Sequence, residues 1–152
     1  CGGQTLTDGV QIDTSNLRDM KISNDYKSIK VQSGARWLQV IEYLDKFNKS
    51  VAEMQSYCNF SVGGSISVNC HGRGMKYGTI ADTILELTVV TIEGDVHVVY
   101  PEDELFHAVI GGYSQVGIIF DAVLIISDNV IIEKTINVDS TNDLVSFFNN
   151  LL

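Results

Sequence analysis

Three stretches of the chain set glycines among small polar residues, a pattern suited to holding a ligand by its backbone. They are Gly2-Gly3-Gln4; residues 61–74 (SVGGSISVNCHGRG), with Gly78 beyond; and Gly111-Gly112-Tyr113-Ser114-Gln115-Val116-Gly117-Ile118-Ile119. Glycine admits positive φ and lets the main chain approach a ligand closely, so that N–H groups can meet phosphate oxygens. Ser67 and Asn69 would add side-chain donors. Ordinary tight turns use the same residues, and for a single glycine pair that is the simpler account. The density of the middle stretch favours a ligand. No Gly-Lys-Ser/Thr follows it, so it is not a P-loop. No strand feeds a G-x-G-x-x-G that opens a helix, so it is not the Rossmann fingerprint either.

Other chemistry is poorly supplied. Cys58, Cys70 and His71 lack paired metal-ligand spacing, and no zinc or other metal site is expected. Ser67 and His71 could be imagined as nucleophile and base, yet no nucleophile elbow surrounds Ser67. His97 falls on a hairpin strand and His107 in an amphipathic helix, where structural or surface roles suffice. No catalytic residue is assigned.

The composition narrows the class. The 152 residues are 45% apolar and 19% charged, with thirteen glycines and one proline, so the chain can bury a core and is not disordered. Its net charge of −9 argues against nucleic acid or an anionic membrane as partner. No apolar run approaches the ~20 residues of a membrane span. Three cysteines make no disulfide framework, and a cytoplasmic location is expected. Cys1 is not a start methionine. A lipidated lipoprotein end would also begin on cysteine, although the residues after it read as folded chain rather than as a tether.

The elements follow from periodicity. Val10-Gln11-Ile12-Asp13 and Ser28-Ile29-Lys30-Val31-Gln32 alternate as strands. Trp37, Val40, Ile41, Leu44 and Phe47 fall at helical spacing and predict an amphipathic helix over residues 35–48, with Trp37 in the core. Residues 61–70 are left between helix and strand. Leu85, Leu87 and Val89 alternate, Glu93-Gly94-Asp95 turns the chain, and residues 96–100 return. Pro101 and the acidic run after it open a helix carrying Leu105, Phe106, Val109 and Ile110. Residues 116–126 predict a long strand buried on both faces, residues 130–138 another, and Asp139-Ser140-Thr141 caps a last helix. This order gives an α+β fold with a mainly antiparallel sheet flanked by helices. The last helix stops mid-pattern, so a domain cut at both ends is expected.

With these elements in place, a family resemblance emerges. Ser61-Val62-Gly63-Gly64-Ser65-Ile66-Ser67, then His71-Gly72-Arg73-Gly74, then Ala81-Asp82-Thr83-Ile84-Leu85-Glu86-Leu87 with Val90-Thr91 and Gly94, resemble the FAD-binding PCMH-type domain of the vanillyl-alcohol oxidase superfamily. Glu104-Leu105-Phe106, Gly111-Gly112 and Gly117-Ile118-Ile119 match its next block in order. The detail is most similar to the cytokinin dehydrogenase and sugar-alcohol or aldonolactone oxidase branches.

The resemblance implies FAD as cofactor. It makes residues 1–130 the larger part of the FAD-binding domain without its N-terminal subdomain, and residues 131–152 the start of a substrate or cap domain. Gly2, Gly3 and Gln4 resemble the end of the pyrophosphate loop. Ser61 takes the place of a cofactor-contacting serine or threonine, and Gly63, Gly64 and Ser67 follow the pyrophosphate-side turn. His71 sits where the backbone passes the flavin, and Ile118 or Ile119 where the main chain meets the cofactor. Val62, Asn69, Gly72 and Gly117 complete the candidate cofactor-binding set. Some relatives carry a cysteine that bonds the flavin; it would align with Tyr57, so Cys58 is expected to be a non-covalent thiol. The implied function is hydride transfer from an alcohol- or amine-type small molecule to flavin, with the substrate held through a second domain. A non-catalytic flavin-binding module is the alternative, as is a UDP-N-acetylenolpyruvoylglucosamine reductase-like enzyme. The motif from Asn69 to Gly74 departs from the latter.

Overall fold

The structure, a computed structural model, describes residues 11–131. Its spine is β6 (Ile118–Asp128), the long apolar strand expected from the sequence, which begins two residues later than its apolar run. Strands β1 (Met20–Ile22), β2 (Ser28–Gln32), β4 (Ile84–Val90) and β5 (Val96–Val99) complete the order β1-β2-β6-β4-β5, every pair antiparallel, and β3 (Lys49–Val51) pairs with the far end of β6. The helices are α1 (Trp37–Asp45), α2 (Val62–Ser67) and α3 (Glu104–Val109), with a 3₁₀ turn at Ile80–Thr83. This is a small α+β domain with an antiparallel sheet.

Register explains which face is dry. Ile29 and Val31 of β2 stand opposite Leu124 and Ala122, and across β6 Leu87 and Val89 stand opposite Ala122 and Ile119. All seven are buried, because residues directly opposite in an antiparallel pair project to one face. The expectation that β6 is buried on both faces is corrected. Ile118, Val123 and Ile125 on the other face are only half-buried, and Asp121 there is buried beside Lys30, whose ammonium lies 3.2 Å away.

Helix α1 is shorter than its periodicity implied. Asn48, in the left-handed region at φ +55°, has already turned the chain toward β3. Its buried stripe is Trp37, Val40 and Leu44, as the spacing required, and the Trp37 indole N–H donates to Ser65 Oγ at 2.8 Å. That bond ties α1 to α2. Residues 11–13, expected in a strand, form none; a Thr14–Leu17 turn follows immediately, with the Leu17 N–H donating to the Thr14 carbonyl at 2.9 Å. The short strands β1 and β3 were not foreseen, since three residues carry too little alternation to register. Val130 and Ile131 lie outside any strand, and the rest of the strand and helix expected beyond them lies outside the described residues, as do Gly2, Gly3 and Gln4. The domain boundary expected after residue 130 falls at the edge of the description.

Candidate cofactor cleft

The undecided stretch at residues 61–70 resolves as helix. Ser61 is the N-cap of α2, its Oγ accepting the Gly64 N–H at 3.3 Å. The Val62 N–H donates to the Ala35 carbonyl and the Gly63 N–H to the Ser33 carbonyl, both at 2.8 Å, while Ser65 N–H bonds Ser61 O at 3.0 Å. All four leading N–H groups of this short helix therefore have protein partners. Gly63 is glycine for a steric reason. A Cβ there would lie 2.6 Å from the Ser33 Cβ, so only a bare backbone lets α2 sit on the end of β2. At Gly64 an added Cβ would meet nothing nearer than the Ser61 hydroxyl at 3.0 Å, a group that can rotate away.

A bulge brings the second wall into place. Thr88 pairs with Asp121 but Val89 with Ile119, which leaves Phe120 as the extra residue of β6. The Phe120 carbonyl accepts the Ser33 N–H at 2.9 Å, fixing the β2 end against β6. After α3, the Gly111 N–H donates to Ile66 O and the Tyr113 N–H to Ser67 O, at 3.1 and 3.0 Å, so the loop before β6 is laced to the end of α2. Between the walls lies a cleft of about 640 Å³, within the range of small-molecule sites. Ser33, Ser61, Ser67 and Ser114 give it hydroxyls, while Val68, Ile118 and Ile119 give it an apolar side.

Six of the sequence-derived candidates line this cleft: Ser61, Gly63, Gly64, Ser67, Ile118 and Ile119. Others stand nearby without lining it. Val62 is buried beneath α2, and Gly117 packs on Val89, whose Cγ1 would be 2.6 Å from a Cβ there. Asn69 turns the chain at φ +48° after α2, and Gly72 presses on the buried Glu53. His71 is exposed, its ring Nδ1 3.2 Å from the Gly72 carbonyl. Ser33, Thr14, Tyr113, Ser114 and Gln115 line the cleft without having been singled out as site residues. Of these, Ser33 had a usable signal, since Ser33-Gly34 ends the clearest strand in the sequence. The Tyr113–Gln115 loop lay inside the third glycine stretch, yet nothing in its composition showed that it would face α2.

Cys70 is buried, and that burial pushes its thiol up from the ordinary value, so it remains a neutral SH packed in the core. Among the described residues no His, Cys, Asp and Glu side chains gather in a group that could hold a metal ion, and no helix is long and apolar enough to cross a membrane.

A cleft with hydroxyls on one side and branched aliphatics on another suits a ligand that is polar along one part and flat and apolar along another. Comparison with known proteins names the cofactor of the chain. The chain is 28% identical to cytokinin dehydrogenase 2 of Arabidopsis thaliana over 82% of its length and 26% of that protein. It is 32% identical to cytokinin dehydrogenase 8 of Oryza sativa subsp. indica, over 78% of its length and 25% of the relative. Against D-arabinono-1,4-lactone oxidase of Saccharomyces cerevisiae the figures are 28% identity, 83% and 23%. The chain thus spans about a quarter of the length of these curated relatives. The family described as FAD binding domain matches residues 1–100, a span that includes α2, its glycine turn and the Ser33 strand end beneath it, so this chain belongs to that family and its cofactor is FAD.

Proposed function

We propose that this chain is the cofactor-holding part of a flavin-dependent oxidoreductase that takes a hydride from an alcohol- or amine-type carbon. FAD supplies the redox chemistry when bound, and the protein supplies binding, orientation and electrostatics. The observation that carries the reading is the convergence of two separate glycine-rich stretches, α2 and the α3–β6 loop, on one cleft in a member of an FAD-binding family. Membership alone would leave the position of the site open; the convergence supports placing it in this cleft.

In this reading the wall from Ser61 to Ser67 receives the polar part of the cofactor, and Gly64 keeps that wall free of side chain. Ile118 and Ile119 offer apolar surface on which a flat ring or ribose edge can rest. The relatives carry the names of a dehydrogenase and an oxidase, both redox enzymes, which supports the reaction class. The substrate-holding residues and catalytic base are assigned to a second domain of the kind expected from residue 131 onward.

The test is direct. The protein as its gene encodes it should purify yellow, with oxidised-flavin absorbance, or bind added FAD. A colourless protein that does not bind FAD would end the proposal. Flavin that binds but is never reduced by any alcohol or amine would leave a binding module in place of an enzyme. Gly64→Val should weaken FAD binding severely while leaving the melting temperature nearly unchanged, because its Cβ faces the cleft rather than packed backbone.

A further inference from the structure

Helix α2 would be the natural place to seek phosphate-binding amides, but its four leading N–H groups donate to Ala35 O, Ser33 O, Ser61 Oγ and Ser61 O. The cleft must therefore hold the charged part of a cofactor by other means. Two hydroxyls stand out. Ser33 is 2% exposed and lines the cleft, yet its Oγ has no hydrogen-bond partner among the described residues. A buried hydroxyl without a partner is costly, and such groups in native structures point to a missing bond. Across the cleft, Ser114 Oγ lies 3.5 Å from Ser67 Oγ, at the long limit of a hydrogen bond, so both retain capacity for a further partner. Ser114 holds φ +61° directly after Tyr113 at φ +52°. Two consecutive non-glycine residues in the left-handed region are strained, and here that strain sits on the cleft wall.

We infer that the side-chain hydroxyls of Ser33 and Ser114, with Ser67 beside the latter, are the groups that hold the phosphate-bearing part of the cofactor. The inference rests on the FAD-binding reading and assigns two residues to it that the sequence did not. Each hydroxyl donates to a phosphate oxygen. Ser33 gains the partner it lacks among the described residues, and the Ser67–Ser114 contact opens to take an oxygen between the two.

The experiment compares FAD with riboflavin, which has no phosphate, by titrating flavin fluorescence against the gene-encoded protein and its Ser33→Ala, Ser67→Ala and Ser114→Gly variants. Ser114→Gly removes the hydroxyl and also relieves the positive φ, so its fold should be firmer while its affinity falls. Each variant should bind FAD at least about tenfold more weakly, the scale of a lost hydrogen bond to a charged group, with riboflavin binding unchanged. Ser33→Ala should raise the melting temperature of the cofactor-free protein, since it deletes a buried polar group that has no partner among the described residues, and that gain should vanish when FAD is bound. Unchanged FAD affinity in Ser33→Ala and Ser114→Gly overturns the inference, and so does an equal loss for both flavins. If the unsubstituted protein binds FAD and the variants bind it equally well, only this assignment falls. If the unsubstituted protein binds no FAD, the proposed function falls and takes the assignment with it.

Discussion

The two walls of the cleft are built on opposite terms. The wall from Ser61 to Ser67 is anchored from below: its leading N–H groups are spent on the chain just after β2 and on its own cap, Ser65 takes the Trp37 indole N–H, and Val62 and Ile66 are fully buried. The facing loop from Tyr113 to Gln115 has no such foundation. It hangs from two backbone bonds to Ile66 and Ser67, carries two positive-φ side-chain residues, and leaves Tyr113 56% exposed. One wall is rigid because it belongs to the core; the other is strained because it does not. A site assembled this way gets a fixed reference surface from the fold and an adjustable one from a loop, and local opening is expected on the loop side.

The largest expected effect breaks the rigid wall. Trp37→Ala removes a fully buried indole and leaves Ser65 Oγ without its donor, and should cost about 3–5 kcal/mol by urea unfolding. Trp37→Phe keeps most of the volume and isolates the indole bond, with an expected loss of about 1–2 kcal/mol. If Trp37→Ala unfolds no more easily than the parent, α2 is not held from below and the comparison of walls is mistaken.

Next in size is Gly63→Ala. Its Cβ would arrive 2.6 Å from Ser33 Cβ, and overpacking of this kind costs about 1–3 kcal/mol. Gly64→Ala, one residue on, should cost less than half as much, because only a rotatable hydroxyl stands in its way. Equal losses at the two positions would show that both glycines serve only the turn. On the opposite wall the sign reverses. Ser114→Gly should stabilise by about 0.5–1 kcal/mol, the relief of a left-handed side-chain residue less the added chain entropy.

The same contrast governs what could be read from the sequence. β2 and the buried stripe of α1 were legible because one-sided burial writes a period of two or 3.6 into the residues. The glycine run could be assigned to a ligand but not to a helix, because six residues with two adjacent glycines have no periodicity to read, and what makes them helical is Ser61 as cap and Trp37 as support. For Ser33 the sequence signals only the end of a strand, and its place on the cleft wall was not legible for a related reason. Its position depends on a bulge at Phe120, almost ninety positions later, and no local pattern encodes that register shift. The loop wall was quoted for its glycines, whereas the residues lining the cleft are Tyr113, Ser114 and Gln115 between them.

The smallest effect asks whether charge contributes to the rigid wall. On the outer face of the sheet the Lys30 ammonium lies 3.2 Å from Asp121 and 3.5 Å from Glu86, linking β2, β6 and β4. Partial burial opposes its charge, but the two carboxylates outweigh that and raise the Lys30 pKa above its ordinary value. A base whose folded pKa lies above its unfolded one contributes stability that is fully present below the unfolded value, about 10.4, and is lost as pH rises through the folded one. Stability should therefore fall, as pH rises above the ordinary lysine range, by more in the parent than in Lys30→Gln, where this group no longer titrates. The Lys30 side chain is 47% exposed, so solvent and salt screen the pair and the difference should be at most about 1 kcal/mol, shrinking in 1 M salt. FAD affinity measured at pH 8 should be the same in both proteins, because none of Lys30, Asp121 and Glu86 lines the cleft. A Lys30→Gln protein that lost FAD affinity as well as high-pH sensitivity would show that the β2 end depends on the charge on its back, and that the rigid wall is less independent of its surroundings than its hydrogen bonds imply.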